Sequence, residues 1–146
     1  MGRRGEGAEA AEIDLEAEAT PDVDMVAPIV EPKTFAELGV RDEIVRALAD
    51  RGIEHAFAIQ ELTLPLAMAG DDLIGQARTG MGKTFAFGVP ALHKITTDTE
   101  RPLTGAPRVL IVVPTRELCI QVFDDLTGAA KNLTAPAEGG GTRPLS

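Results

Sequence analysis

An α/β fold, with a parallel sheet joined by crossover helices, is what the sequence predicts, and three observations predict it. Residues 109–113 read VLIVV, a continuous apolar run rich in β-branched side chains. Such a run suits a strand buried on both faces of a parallel sheet. Strand and helix patterns alternate through the middle of the chain, as crossover connections require. Residues 77–84 (ARTGMGKT) place two glycines and a lysine between a strand pattern and a helix pattern. That order suits a loop whose backbone amides close around an anion.

The elements follow in order. Residues 1–33 are rich in Ala, Glu, Asp and Gly, carry Pro21, Pro28 and Pro32, and hold no aromatic residue. They cannot bury enough apolar surface to offset the entropy of ordering, so a disordered acidic leader is expected. Structure should begin near Thr34, where residues 34–37 (TFAE) fit a capping box. A helix over 41–51 follows, with Ile44, Val45 and Leu48 on one face and Gly52 as its stop. A second helical stretch, 59–69, ends at Gly70, and Pro65 inside it predicts a bend or a later start. Residues 73–76 (LIGQ) form a short strand, and 83–95 the helix beyond the loop. Residues 96–107 are a polar loop with Pro102, Gly105 and Pro107. The run 109–113 is the next strand. Residues 115–132 carry a last helical pattern with Leu118, Val122, Phe123 and Leu126 on its apolar face. Residues 133–146 (LTAPAEGGGTRPLS) read as an irregular tail.

Size and charge narrow the possibilities. The chain has 146 residues, with 14 Lys and Arg against 23 Asp and Glu, a formal net charge of -9. One domain of about 100–150 residues fits that length. Residues 1–33 hold nine acidic and three basic side chains, so the acidity lies mostly at the front. No basic face is implied, and contact with nucleic acid must come from local motifs. The single Cys excludes an internal disulfide or a multi-cysteine zinc site and fits a reducing compartment. No apolar run reaches the roughly 18 residues of a membrane span. The first residues lack the apolar stretch of a secretory signal. A cytoplasmic protein with no membrane partner is expected.

The segment 77–84 matches the phosphate-loop pattern G-x-x-x-x-G-K-[ST], with Ala77 in place of the first glycine. The chemistry needs each part. Gly80 and Gly82 let the backbone curl so that its N–H groups point inward. Arg78 and Thr79 belong to the same nucleotide-binding loop, and Met81 fills a position that needs only its backbone N–H. Lys83 brings a positive charge to the β- and γ-phosphates, and Thr84 a hydroxyl to Mg²⁺. The loop marks a phosphate site, not a reaction.

The flanking segments narrow the reaction. Residues 52–60 (GIEHAFAIQ), with Phe35 upstream, closely resemble the Q motif of DEAD-box RNA helicases. Residues 114–118 (PTREL), directly after the apolar run, resemble that family's motif Ia. Three motifs in the same order, over residues 34–131, make the resemblance specific. It implies part of a RecA-like ATP-binding domain over 34–132. It implies ATP and Mg²⁺ as cofactors, ATP hydrolysis coupled to RNA unwinding, and catalytic roles for Lys83 and Thr84. Gln60 would pair with adenine, its competing reading being a polar residue that caps a helix start or faces solvent. Phe35 would pack on the base, with a core anchor under the first helix as its other reading, and the two can coexist. Pro114, Thr115, Arg116 and Glu117 would line the RNA backbone. An amide carries donors and an acceptor, so it can meet both N7 and N6 of adenine.

Two departures stand beside it. Ala56 and Phe57 occupy the places of the family's Pro-Thr pair, removing a rigid turn and a hydroxyl near the phosphate loop. The motifs that follow motif Ia in the family, including the acidic box and a second domain, have no counterpart here. Residues 139–141 (GGG) lack a leading strand. The pairs Asp71-Asp72 and Asp124-Asp125 lie in a turn and on a helix. Beyond about Lys131 the pattern is expected to stop, as in an early truncation or a shifted frame. No unwinding and little ATP turnover are therefore expected of the chain by itself. A binding fragment without activity and an unstable remnant are the competing readings; a small phosphate-loop kinase fits worse, because PTREL is present. Cys119 is expected as a buried small hydrophobe, His55 and His93 as surface or satisfied helix-end residues, and Arg116 with Glu117 as an exposed pair if not a phosphate contact.

Overall fold

A computed structural model describes residues 11–13, 31–80 and 82–145 of the chain. Four helices and four short strands follow in the order β1 (Ala11–Ile13), α1 (Asp42–Ala49), α2 (Ala58–Ala69), β2 (Leu73–Gly75), α3 (Lys83–Thr97), α4 (Arg116–Ala130), β3 (Thr134–Pro136) and β4 (Thr142–Pro144). The fold is α/β, as expected.

The capping box forms where the sequence places it. The Thr34 amide donates to the Glu37 carboxylate at 2.8 Å, and the Glu37 amide donates back to the Thr34 hydroxyl at 3.3 Å. The pair closes a turn that tucks Phe35 and Leu38 inward rather than opening a long helix. α1 follows, burying Ile44, Ala47 and Leu48. α2 runs without interruption from Ala58 through Pro65, so the proline does not delay its start. Its inner face buries Ile59, Thr63 and Leu64. α3 packs along α2 and crosses α4 closely at Gly88, where an added Cβ would lie 2.1 Å from Leu126. Arg51 ties α1 to α4: its guanidinium donates to the Asp125 carbonyl at 3.1 Å and to its carboxylate at 2.6 Å. One core results, built from Phe35, Ile44, Leu48, Leu64, Val89 and Leu133 with smaller neighbours from the ends of α3 and α4.

Three expectations are corrected. The run 109–113 is not a strand: among the described residues no strand lies beside it. Leu110 is 87% and Val112 84% exposed, while Ile111 and Val113 turn half-buried toward α4. That alternation is what extended chain shows. Without a ladder partner its backbone groups go to no sheet, and its apolar character alone does not bury it.

The expected parallel sheet is reduced to one pair, β1 on β2, with Ala11 opposite Leu73 and Ile13 opposite Gly75. Those three residues lie within the segment expected to be a disordered leader, and they are ordered as a strand. The rest of that expectation, over residues 1–10 and 14–30, lies outside the described residues.

The tail is not irregular. β3 and β4 pair antiparallel, Thr134 opposite Pro144 and Pro136 opposite Thr142, around the glycine turn at 139–141. Leu133 and Ala135, two residues apart and so on one face, are both buried.

Candidate functional site

β2, the loop 76–82 and α3 give the strand–loop–helix order that the phosphate-loop reading requires. Gly82 stands at the N-cap of α3 with φ of 76°, a left-handed conformation suited to glycine. Space demands glycine as well: an added Cβ would lie 2.2 Å from the Gln60 amide nitrogen and 2.6 Å from the Phe57 ring. The loop therefore presses directly on the start of α2.

Lys83 begins α3 and its ammonium donates to the Ala77 carbonyl at 2.5 Å. The side chain thus spans the loop from end to end. Thr84 follows in the first turn, half-buried. Arg78, Thr79 and Gly80 are exposed along the rim. Met81 lies outside the described residues. The first amides of α3 have no partner within the helix, and the positive end of its dipole faces the same place. A cleft of about 400 Å³ opens beside Lys83, with Ile59, Thr63, Leu73 and Phe87 in its walls.

Gln60 is 1% exposed and bridges α2 to the loop. Its amide nitrogen donates to the Gly82 carbonyl at 2.8 Å, and its amide oxygen accepts from the Phe57 backbone N–H at 2.9 Å. One amide proton and one oxygen lone pair remain uncommitted. Phe35 is 1% exposed and sits in the core, as its reading as a core anchor requires. Phe57 is the aromatic residue at the loop and is 45% exposed. From sequence it registered as a lost Thr. Its spacing of three from Gln60, which puts both on one side of a helix start, was the available signal.

Residues 114–117 are exposed at the start of α4. The Thr115 hydroxyl accepts from the Leu118 amide at 3.2 Å and caps the helix. Among the described residues, Arg116 and Glu117 form no ion pair, and no hydrogen bond joins this segment to the phosphate loop.

Three smaller expectations are settled too. Cys119 is exposed, not buried, at the edge of a groove shared with Ile111, Val113 and Phe123. His55 is exposed, as expected. His93 is not satisfied: its Nδ1 is buried with no partner, and burial, aided by the nearby Arg41 charge, pushes its pKa below the ordinary 6.5.

The donor set limits what metal chemistry this chain offers. Among the described residues, no cluster of three or more His, Cys, Asp or Glu could hold a metal ion. Asp125 is held by Arg51, and Asp71 and Asp72 follow α2 in an exposed turn. The residues present fit Mg²⁺ only as it comes on a nucleotide, with the Thr84 hydroxyl beside phosphate oxygens and water.

Comparison with known proteins bears on the same loop. The sequence model of the DEAD/DEAH box helicase family matches residues 57–144, well over half of the chain. This chain belongs to the DEAD/DEAH box helicase family. The match runs past Lys131 to residue 144, so the family's pattern does not stop where the motifs suggested. A mitochondrial DEAD-box ATP-dependent RNA helicase of Arabidopsis thaliana is 46% identical over 109 residues, covering 74% of this chain and 18% of the plant protein. The ATP-dependent RNA helicase CshA of Listeria monocytogenes is 48% identical over 92 residues, covering 63% of this chain and 17% of that protein. Among solved structures, S. cerevisiae Dbp5 bound to RNA and ADP BeF3 aligns with a TM-score of 0.61 and 28% identity, over 69% of this chain and 25% of the other. The chain therefore spans under a fifth of the length of these two curated relatives. The phosphate loop, Gln60 and the 114–117 segment of this family member all fall inside residues 34–132.

Proposed function

We propose that this chain binds ATP at the loop formed by Ala77, Arg78, Thr79, Gly80, Met81 and Gly82, as the nucleotide-binding part of an ATP-dependent RNA helicase. Lys83 leaves the Ala77 carbonyl and moves its ammonium to the β- and γ-phosphates. The loop amides and the start of α3 hold the phosphate oxygens. Thr84 holds the magnesium ion that accompanies the nucleotide. Gln60 offers its remaining donor and acceptor to the adenine edge. The observation that carries the reading is the Gln60 bridge: one buried amide links the α2 start to the phosphate loop.

RNA is the proposed second partner, met by Pro114, Thr115, Arg116 and Glu117 at the exposed start of α4. Support comes from the motif there and from the yeast relative, whose structure holds RNA. With a net charge of -9 the chain adds no general attraction, so this contact is weak by itself. ATP hydrolysis and duplex unwinding are the activities of the whole helicase in this proposal. A cytoplasmic location goes with it. The chain alone binds without turning over, since the described residues hold no carboxylate cluster to order Mg²⁺ and attacking water.

Calorimetry with ATP is the test. Native chain takes up ATP, and Lys83→Ala weakens it by at least about tenfold, as loss of a charge-assisted phosphate contact requires. Phosphate release stays at background with or without RNA. Unchanged ATP affinity in Lys83→Ala overturns the site, and RNA-stimulated release abolished by Lys83→Ala overturns the inactivity.

A further inference from the structure

We infer that Phe57, the open aromatic ring against the phosphate loop, is a stacking platform for the nucleotide base. The inference rests on the ATP-binding reading and adds the residue that grips the base.

The aromatic inventory is short: five Phe, no Tyr and no Trp. Phe35 and Phe85 are in the core at 1% and 7% exposure. Phe123 lies on α4 in the groove with Cys119. Phe87 faces the apolar cleft between α2, β2 and α3. Phe87, 42% exposed, opens on the cleft beside Lys83, whereas Phe57, 45% exposed, lies against the N-cap glycine of the loop, where its Cδ2 reaches within 2.6 Å of a Cβ added to Gly82. Its backbone N–H donates to Gln60 at 2.9 Å, which fixes the start of α2 and ties the aromatic to the amide. A purine whose phosphates sit in the loop meets this ring with its face and Gln60 with its edge.

The two residues divide the work. Every base has a π-face, so stacking on Phe57 strengthens binding of ATP and GTP alike. The Gln60 amide distinguishes their edges. Phe57 stands where the family places a Thr, so an aromatic here trades a hydroxyl at the loop for a surface under the base.

Binding of ATP, GTP and inorganic tripolyphosphate to the full chain, measured by calorimetry, tests this. Phe57→Ala weakens ATP and GTP by a similar factor, about tenfold, and leaves tripolyphosphate unchanged. Phe57→Tyr restores both nucleotides, and Phe123→Ala, away from the loop, changes neither. Gln60→Glu alters the ATP-to-GTP ratio, which Phe57→Ala does not. Unchanged ATP affinity in Phe57→Ala overturns the inference, as does equal weakening of tripolyphosphate, which would make Phe57 a prop for the loop. A native chain that binds neither ATP nor tripolyphosphate overturns the ATP reading itself. Thermal melts showing that Phe57→Ala folds as the native chain does keep the comparison valid.

Discussion

Leu48 and Leu110 are the same side chain in opposite surroundings. Leu48 lies on α1 with no exposed surface, packed with Phe35, Ile44 and Leu64. Leu110 lies in an equally apolar stretch and is 87% exposed. The first region closes on itself through α1, α2, α3 and the end of α4. The second, residues 109–123, keeps Leu110, Val112, Ile120 and Phe123 open to solvent. The difference teaches where this fold gets its stability. A helix satisfies its own backbone and can bury its stripe against any neighbour, as α1 does against the distant α4, whereas a strand also needs a ladder partner that other segments must supply.

The largest expected effect breaks that pairing directly. Leu48→Ala should lower unfolding free energy by about 2–5 kcal/mol, the usual cost of a buried leucine and its cavity. Leu110→Ala should move it by no more than about 0.5 kcal/mol. Urea denaturation of the two variants gives the comparison. Equal losses would mean that residues 109–113 are covered in solution.

A smaller effect sharpens it. The exposed region is held locally, and the Thr115 cap on the Leu118 amide is one such hold. Thr115→Ala should cost about 1 kcal/mol, as a lost N-cap does. Its helical signal by circular dichroism should fall slightly, with the core melt otherwise intact. A loss as large as that of Leu48→Ala would break the distinction between the two regions.

Much of the first region was legible in the sequence. Thr34 and Glu37 cap each other as their spacing indicates, and the strand–loop–helix around Gly82 and Lys83 lies where its motif puts it. These features depend on residues within a few positions of one another. The second region was misread because periodicity records what a segment would bury, not whether a partner is present. Residues 109–113 have strand composition and no strand beside them. Leu133 and Ala135 carried an alternating signal too short to stand out between the proline and glycine positions around it. At the site, the loop was read from its glycine and lysine spacing and Gln60 from the resemblance to the Q motif. That Phe35 is buried and Phe57 open was not legible, because exposure depends on how the 34–39 turn folds under α1.

The smallest effect comes from a buried side-chain nitrogen that, among the described residues, is left without a partner. His93 Nδ1 has no partner, and Arg41, which donates to the Thr96 carbonyl and pairs with Glu43, stands near it. Burial, and secondarily the Arg41 charge, resist protonation of His93, so its folded pKa lies below 6.5 while the unfolded chain titrates near 6.5. The unfolded state then binds more protons as the solution is acidified. Stability is fully present above 6.5 and is lost as the pH falls from 6.5 through the folded value. The carboxyls of Glu37, lowered by hydrogen bonds from Thr34, and of Glu43, lowered by Arg41, add their own losses as the pH approaches and passes below 4.5. Denaturant melts in the upper part of the range from 6.5 to 4.5 therefore weight His93 over those two carboxyls. His93→Gln should flatten the slope in that window while leaving the loss below 4.5 in place. A slope unchanged by the substitution would assign the acid sensitivity elsewhere and remove the unpaired imidazole from the account of the core.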